Sequence, residues 1–238
     1  MCRAAETAGL DAIGVSDHCN VSTRDRRIRA KKALGFNLDV TYERRRAAIE
    51  DMRERFDLAV YDAVEMDYDS RDVDEIETFL DEAGFDYAVG SVHHLDGVNV
   101  HVQPYFERKS EDERRELVEH FYEEVVALFD AGLFEIAAHV DLVERTPALR
   151  GFATADHYHR VAAAAEASPT LVELNAGRAL DEYGQFHPHP DFLDVLTEYD
   201  VEFVLGSDSH TPDELTARTP ELDAFVAEHD IEPVSLEI

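Results

Sequence analysis

Short apolar runs alternate with amphipathic or charged stretches along the whole chain. Residues 2–9 read as a helix that Gly9 stops, and Ala12-Ile13-Gly14-Val15 reads as a strand. Residues 17–38 are polar and arginine-rich and read as a loop. TYERRRAAIEDMRERF at 41–56 predicts a charged helix, and LAVYDAVEM at 58–66 a strand. A helix over 72–83 ends at Gly84, before the strand DYAVGSV. A loop then runs to about residue 109, and a long helix spans 110–131 and stops at Gly132. FEIAAHV is the next strand, 154–167 an alanine-rich helix and TLVELN a strand. A loop carrying HPHP leads to a helix near 190–199, the strand VEFVLGSD and a helix from about 212.

Six apolar strands alternating with helices imply parallel pairing through helical crossovers, hence an α/β fold. No Gly/Ser/Pro-rich linker divides the chain, so one domain over 1–238 is expected. No glycine-rich phosphate turn follows the first strand, and polar residues cluster after every strand. A closed or nearly closed barrel therefore fits better than an open dinucleotide-binding sheet.

Charge changes the picture next. The chain holds 53 acidic and 22 basic residues, a formal net charge of -31, and its lysines are Lys31, Lys32 and Lys109. Such a surface points to a halophilic protein, because salt screens its self-repulsion. It repels nucleic acid and anionic lipid, so neither is an expected partner. No apolar run reaches membrane-span length, and no basic-then-apolar leader is seen. Two cysteines, Cys2 and Cys19, make no disulfide framework, so a reduced, cytoplasmic protein is expected.

The candidate chemistry lies after the strands. The segments there are Ser16-Asp17-His18, Glu65-Met66-Asp67, Gly90-Ser91-Val92-His93-His94, Ala138-His139-Val140-Asp141, Glu173-Leu174-Asn175 and Gly206-Ser207-Asp208-Ser209-His210. In a parallel barrel these ends meet on one face, so His18, Glu65, His93, His139, Asp208 and His210 should converge. Imidazole and carboxylate donors suit zinc, manganese or iron. Their number implies two or three divalent ions, with Glu65 placed to bridge. Clusters of this type serve phosphoryl transfer. They would also supply the positive charge that an acidic protein needs for a small phosphorylated substrate.

In order, SDH, EMDY, DYAVGSVHHLDG, AHVDLV, VELNAG and LGSDSH resemble the polymerase and histidinol phosphatase (PHP) family, in its histidinol-phosphatase branch. The resemblance runs from about residue 3 to 215. It implies a distorted seven-stranded α/β barrel with a trinuclear metal site that hydrolyses phosphoesters. Glu65 then resembles the bridging carboxylate, and His93 and His139 its partners on one ion. Asp208 resembles a carboxylate of a second ion, and His18 and His210 ligands of a third. A metal-bound water would attack phosphorus, with Asp208 and His210 the nearest candidates for catalytic groups. The implied reaction is phosphomonoester hydrolysis, foremost of histidinol phosphate in histidine biosynthesis. Another small phosphorylated or nucleotide substrate is the alternative within the class. A non-catalytic, metal-binding relative is the alternative outside it.

One feature departs from the family. Its members begin with a strand carrying Asp-x-His-x-His, absent from this sequence, which opens in the helix that would follow. Three readings stand: a start upstream of Met1, a truncated inactive relative, or an active protein with fewer metals. The sequence as it stands should form an incomplete barrel, with a gap beside the Ile13 strand and Asp208 lacking two histidine co-ligands.

Other residues carry weaker signals. Arg178, after Asn175, could bind phosphate or simply face solvent, and Arg108 and Arg160 are weaker candidates. The run RDRRIRAKK from Arg24 could steer an anion or neutralise the surface around it. His94 reads as a support for the site, and His101 as a loop residue that could touch substrate. His187 and His189 of HPHP read as a turn rather than a metal pair, since proline follows each. Cys19 reads as buried filler.

Overall fold

A computed structural model describes residues 1–236 and 238. It opens with helix α1 (Cys2–Thr7) and strand β1 (Ala12–Cys19), followed by α2 (Asp25–Leu34) and α3 (Tyr42–Arg53). Strand β2 (Ala59–Asp67), α4 (Val73–Ala83) and β3 (Tyr87–Ser91) come next, then the strands β4 (His94–Leu95) and β5 (Val98–Asn99). The chain continues through α5 (Gln103–Phe106), α6 (Glu111–Ala131) and β6 (Ile136–Ala137). It ends with α7 (Ala155–Glu166), β7 (Leu171–Asn175), α8 (Pro190–Leu196), β8 (Phe203–Gly206) and α9 (Pro212–Glu228).

Six strands form one curled, all-parallel sheet in the order β1-β2-β3-β6-β7-β8, and β4 and β5 pair as an antiparallel hairpin. The α/β class and the parallel sheet are as expected, and the distorted barrel takes the form of a half-barrel with six strands in place of seven. The helices start and stop where local chemistry dictates. Ser110 with Glu113, Thr154 with His157, and Thr211 with Glu214 form reciprocal caps that satisfy the first free N–H groups of α6, α7 and α9. Gly84 and Gly132 end α4 and α6 in the left-handed conformation that favours glycine. The main core lies where α6, α7 and α8 cover the sheet, with Phe121, Tyr122, Phe129, Leu149 and Phe192 all but inaccessible.

β1 and β8 are the ends of the sheet, and a cavity of about 760 Å³ opens between them. Ile13, Val15, Tyr87, Ile136 and Val204 line it. The C-terminal segment enters from one side. Val234 N–H donates to the Phe203 carbonyl at 2.8 Å, and Leu236 packs on the cluster of Val89, Ile136 and Ala138. The expected gap beside the Ile13 strand is therefore present.

The reading of 17–38 as a loop is corrected. β1 runs on to Cys19, and the arginine-rich stretch contains α2. Periodicity missed this helix because it has no apolar stripe; its one buried residue is Arg27. Ion pairs hold it instead. Arg27 reaches Asp67 at 2.8 Å, Arg24 reaches Asp69 at 2.6 Å and Asp72 at 2.5 Å, and Lys31 pairs with Asp39. RDRRIRAKK thus pins a helix to the body, so Arg24, Arg27 and Lys31 are engaged rather than free to steer an anion. FEIAAHV is also trimmed, since only Ile136 and Ala137 pair as strand. The stretch read as a loop up to residue 109 holds the β4–β5 hairpin and α5.

Candidate metal centre

Parallel register builds the centre. On β1 and β2, His18 lies directly beside Glu65. β3 and β6 then deliver His93 and His139 just past their last paired residues. Three imidazoles close on one carboxylate. His18 Nδ1 lies 3.0 Å from Glu65 Oε2, while His93 Nε2 and His139 Nε2 lie 3.3 and 3.2 Å from Oε1. His93 and His139 are 4 % exposed, Glu65 12 % and His18 32 % at the side chain, so the centre opens on the His18 side.

The electrostatics follow from this packing. Burial alone would raise the Glu65 carboxyl, but His18, His139 and His93 hold it well below its ordinary range. Burial lowers His93, whereas contact with Glu65 overcomes burial at His18 and His139 and raises both. Donor atoms of His18, Glu65 and His93 all lie within 4.8 Å of one another, close enough to share an ion. His139 turns Nε2 to Glu65 Oε1 and keeps a buried Nδ1 without a partner. A donor set of imidazole and carboxylate converging in a mostly buried pocket fits a divalent ion such as zinc.

Behind this shell stand residues that the motif reading passed over. Asp67, two residues beyond Glu65 on β2, accepts from Asn20 Nδ2 at 2.7 Å, forms an ion pair with Arg27 Nη2 at 2.8 Å, and lies 2.9 Å from His94 Nδ1. Burial would raise its carboxyl, but Arg27 and then His94 hold it below the usual range. His94 therefore supports the site, as its position beside His93 implied. Ser91 Oγ fixes His93 Nδ1 at 3.0 Å. Phe36, past the end of α2, stacks on His18 with ring centroids 4.2 Å apart and meets His93 edge-on at 5.4 Å. A period of two puts Asp67 on the same face of the strand as Glu65, and that signal was available in EMD. Phe36 carried none.

Asp208 and His210 sit at the rim. His210 Nδ1 lies 3.9 Å from Asp208 Oδ1, and the His210 side chain is 67 % exposed. The His18 and His210 rings are 6.5 Å apart. Arg218 Nη1 donates to the Asp208 carbonyl at 2.5 Å and steadies its positive-φ backbone (+45°). Arg145, which the sequence reading missed, brings Nη2 within 3.5 Å of Asp208 Oδ2. Its side chain is 11 % exposed, and Nε and Nη2 make no hydrogen bond. Arg178 is half-exposed and paired with Asp181 at 2.9 Å. Loss of surrounding solvent, then the charges of Arg145, His139 and Arg178, push His101 down to about 3. His187 and His189 do not join the Glu65 cluster: Asp141 holds both, at His187 Nδ1 and at the His189 N–H, 2.6 Å each.

The PHP domain family matches residues 1–177. The chain belongs to the PHP domain family. A Deinococcus radiodurans protein named "Probable histidinol-phosphatase" is 26% identical over 145 residues, which cover 60% of this chain and 54% of that relative. The chain thus spans about half the length of that curated relative. Among solved structures, histidinol phosphate phosphatase from Lactococcus lactis subsp. lactis, complexed with zinc, L-histidinol and phosphate, aligns with TM-score 0.72 and 16% identity. The alignment covers 98% of this chain and 87% of that one. A second, from Listeria monocytogenes, aligns with TM-score 0.65 and 18% identity over 90% of this chain and 89% of that one. At these identities the likeness speaks for the fold. The PHP match takes in His18, Glu65, His93, His139 and Arg145, whereas Arg178, Asp208 and His210 lie beyond it.

Proposed function

We propose that this PHP protein is a metal-dependent phosphomonoester hydrolase acting on histidinol phosphate. The observation that carries the reading is the convergence of His18, His93 and His139 on Glu65, with the Arg145 guanidinium, paired only loosely with Asp208, at its edge. The family match and the named relatives support the class of reaction; the histidinol-phosphatase names support the substrate.

His18, Glu65, His93 and His139 would hold the first ion, and Asp208 and His210 would contribute to one or two more. Divalent ions bound there supply activated water at neutral pH and neutralise phosphate oxygens. Arg145 binds and orients the phosphoryl group, because its planar fork matches phosphate geometry and its Nε and Nη2 make no hydrogen bond beyond the loose ion pair with Asp208. Arg178 can leave its exposed pairing with Asp181 to add a second contact. Phe36 excludes water from the His18 face, and Asp67 and Ser91 keep His93 and His94 in place. Asp208 and His210 lie nearest the open side, where a water held by His210 would protonate the leaving alkoxide.

The setting we propose is a reduced, high-salt cytoplasm. The net charge of -31 and the free buried thiols Cys2 and Cys19 support it. No helix among the described residues is long and apolar enough to cross a membrane.

The test is turnover of histidinol phosphate by the purified protein with zinc or manganese, from low salt to about 1 M and above, where charge screening is nearly complete. Release of phosphate that requires metal supports the reading. Turnover of other phosphomonoesters but not this one overturns the substrate. Metal binding without turnover of any phosphoester overturns the enzyme.

A further inference from the structure

His187 is completely buried and clamped on three sides. Its backbone pairs with the end of β7, with Asn175 N–H donating to the His187 carbonyl at 2.8 Å and His187 N–H donating back at 3.0 Å. Its ring stacks on Tyr183 with centroids 5.0 Å apart and planes 16° apart. Its Nδ1 meets Asp141 Oδ1 at 2.6 Å. Asp141 is equally buried, and its other oxygen accepts the His189 N–H at 2.6 Å. A ring fixed this firmly nevertheless leaves Nε2 buried without a partner.

The next ring is His139, 6.4 Å away between centroids and inclined at 73°. His139 turns Nε2 toward Glu65, and its Nδ1 is likewise buried without a partner. The chemistry of the two free nitrogens is complementary. A carboxylate on His187 Nδ1 keeps the hydrogen there and leaves Nε2 as an acceptor. An ion on His139 Nε2 puts that ring's hydrogen on Nδ1 and makes it a donor. Buried polar groups in native proteins are paired, so a lone donor and a lone acceptor on neighbouring rings call for each other.

We propose that Asp141 and His187 are positioning residues for His139, forming a carboxylate–imidazole–imidazole relay that keeps the ion-facing nitrogen of His139 unprotonated and aimed at Glu65. The inference rests on the reading that His139 holds a metal ion. With the centroids 6.4 Å apart the two nitrogens are too distant for a direct hydrogen bond, and the relay closes through one intervening water. It gives the HPHP segment a purpose beyond its turn: the first histidine supports the centre and the second starts α8.

The experiment measures zinc affinity by competition with a chelator for the wild type, His187→Phe, Asp141→Asn and His157→Phe. His187→Phe keeps the aromatic stack on Tyr183 but removes both nitrogens. His157 is a comparably buried imidazole, stacked on Tyr122 and bound to Glu119, and controls for disturbance of packing alone. Loss of the relay should weaken zinc binding by about 10- to 100-fold in His187→Phe and Asp141→Asn. His157→Phe should bind zinc like the wild type. A second readout is the His139 Nδ1 proton of the zinc-loaded protein in long-range 1H–15N spectra. It should exchange slowly in the wild type and rapidly in His187→Phe. If His187→Phe does not fold, as circular dichroism of the metal-free protein would show, Asp141→Asn decides. Unchanged zinc affinity in a folded variant, or a His139 proton still protected without His187, overturns the relay alone. A wild type that binds no zinc overturns the metal centre and the relay together.

Discussion

Glu65 stands on β2, a strand paired on both sides, and receives His18 from β1, His93 from beyond β3 and His139 from beyond β6. Asp208 and His210 follow β8, an end strand whose outer edge faces the 760 Å³ cavity. Both groups offer imidazole and carboxylate, yet the first is compact and mostly buried while the second is spread out and open. Sheet pairing makes the difference. Glu65, His93 and His139 belong to strands with neighbours on both sides, and Ser91, Asp67 and Phe36 lock the rings; His18, on the other end strand, β1, is the most exposed of the four. β8 lacks one neighbour, and its histidine reaches into solvent. Preorganisation here tracks position in the sheet rather than the kind of ligand.

The sharpest way to break this comparison is to remove one carboxylate from each region. Glu65→Gln should weaken binding of the first ion by more than about 100-fold, beyond the loss expected of a supporting residue, and abolish turnover. Asp208→Asn should lower zinc affinity by about tenfold, since its locus is open to water. Equal losses in a chelator competition would show that the rim is as preorganised as the centre.

Arg145→Ala tests where the two regions meet. Loss of a charge-assisted contact of about 2 kcal/mol predicts a fall of roughly 30-fold in kcat/KM, with metal content unchanged. Inorganic phosphate should inhibit this variant more weakly than the wild type. An unaltered phosphate inhibition constant would detach Arg145 from the substrate.

A smaller effect concerns the ground beneath both regions. Burial pushes Glu144 from 4.5 up to about 7. A carboxyl raised in the folded state binds more protons there than in the unfolded chain, so its contribution to stability falls as pH rises from about 4.5 to about 7 and then levels off. Glu144→Gln should remove that part of the slope and melt higher than the wild type above pH 7, measured by thermal unfolding of the metal-free protein. An unchanged slope would remove Glu144 from the account.

Much of the fold was legible because its signals are local. Gly84 and Gly132 end helices whose apolar faces the pattern shows, and short apolar runs between them mark parallel strands. The ligands were legible because each follows its own strand. α2 was not, because ion pairs with residues 40 positions and more away replace an apolar stripe. Arg145 was not, because nothing in VERTP separates a buried arginine from a surface one. His187 was seen as part of a turn, and the turn exists; that its ring is buried depends on Asp141, 46 residues earlier.

The sequence by itself determined the alternation of strands and helices, the acidic surface and the identity of groups able to bind metal, since composition and periodicity are properties of the chain. Only the tertiary structure decided which of those groups share a point in space. Parallel register set His18 beside Glu65, the curl of the sheet brought His93 and His139 to the same carboxylate, and burial in a low-dielectric interior separated Arg145 and His187 from their surface counterparts. The strand order set β8 two positions beyond β6, which left Asp208 and His210 at the rim of that cluster.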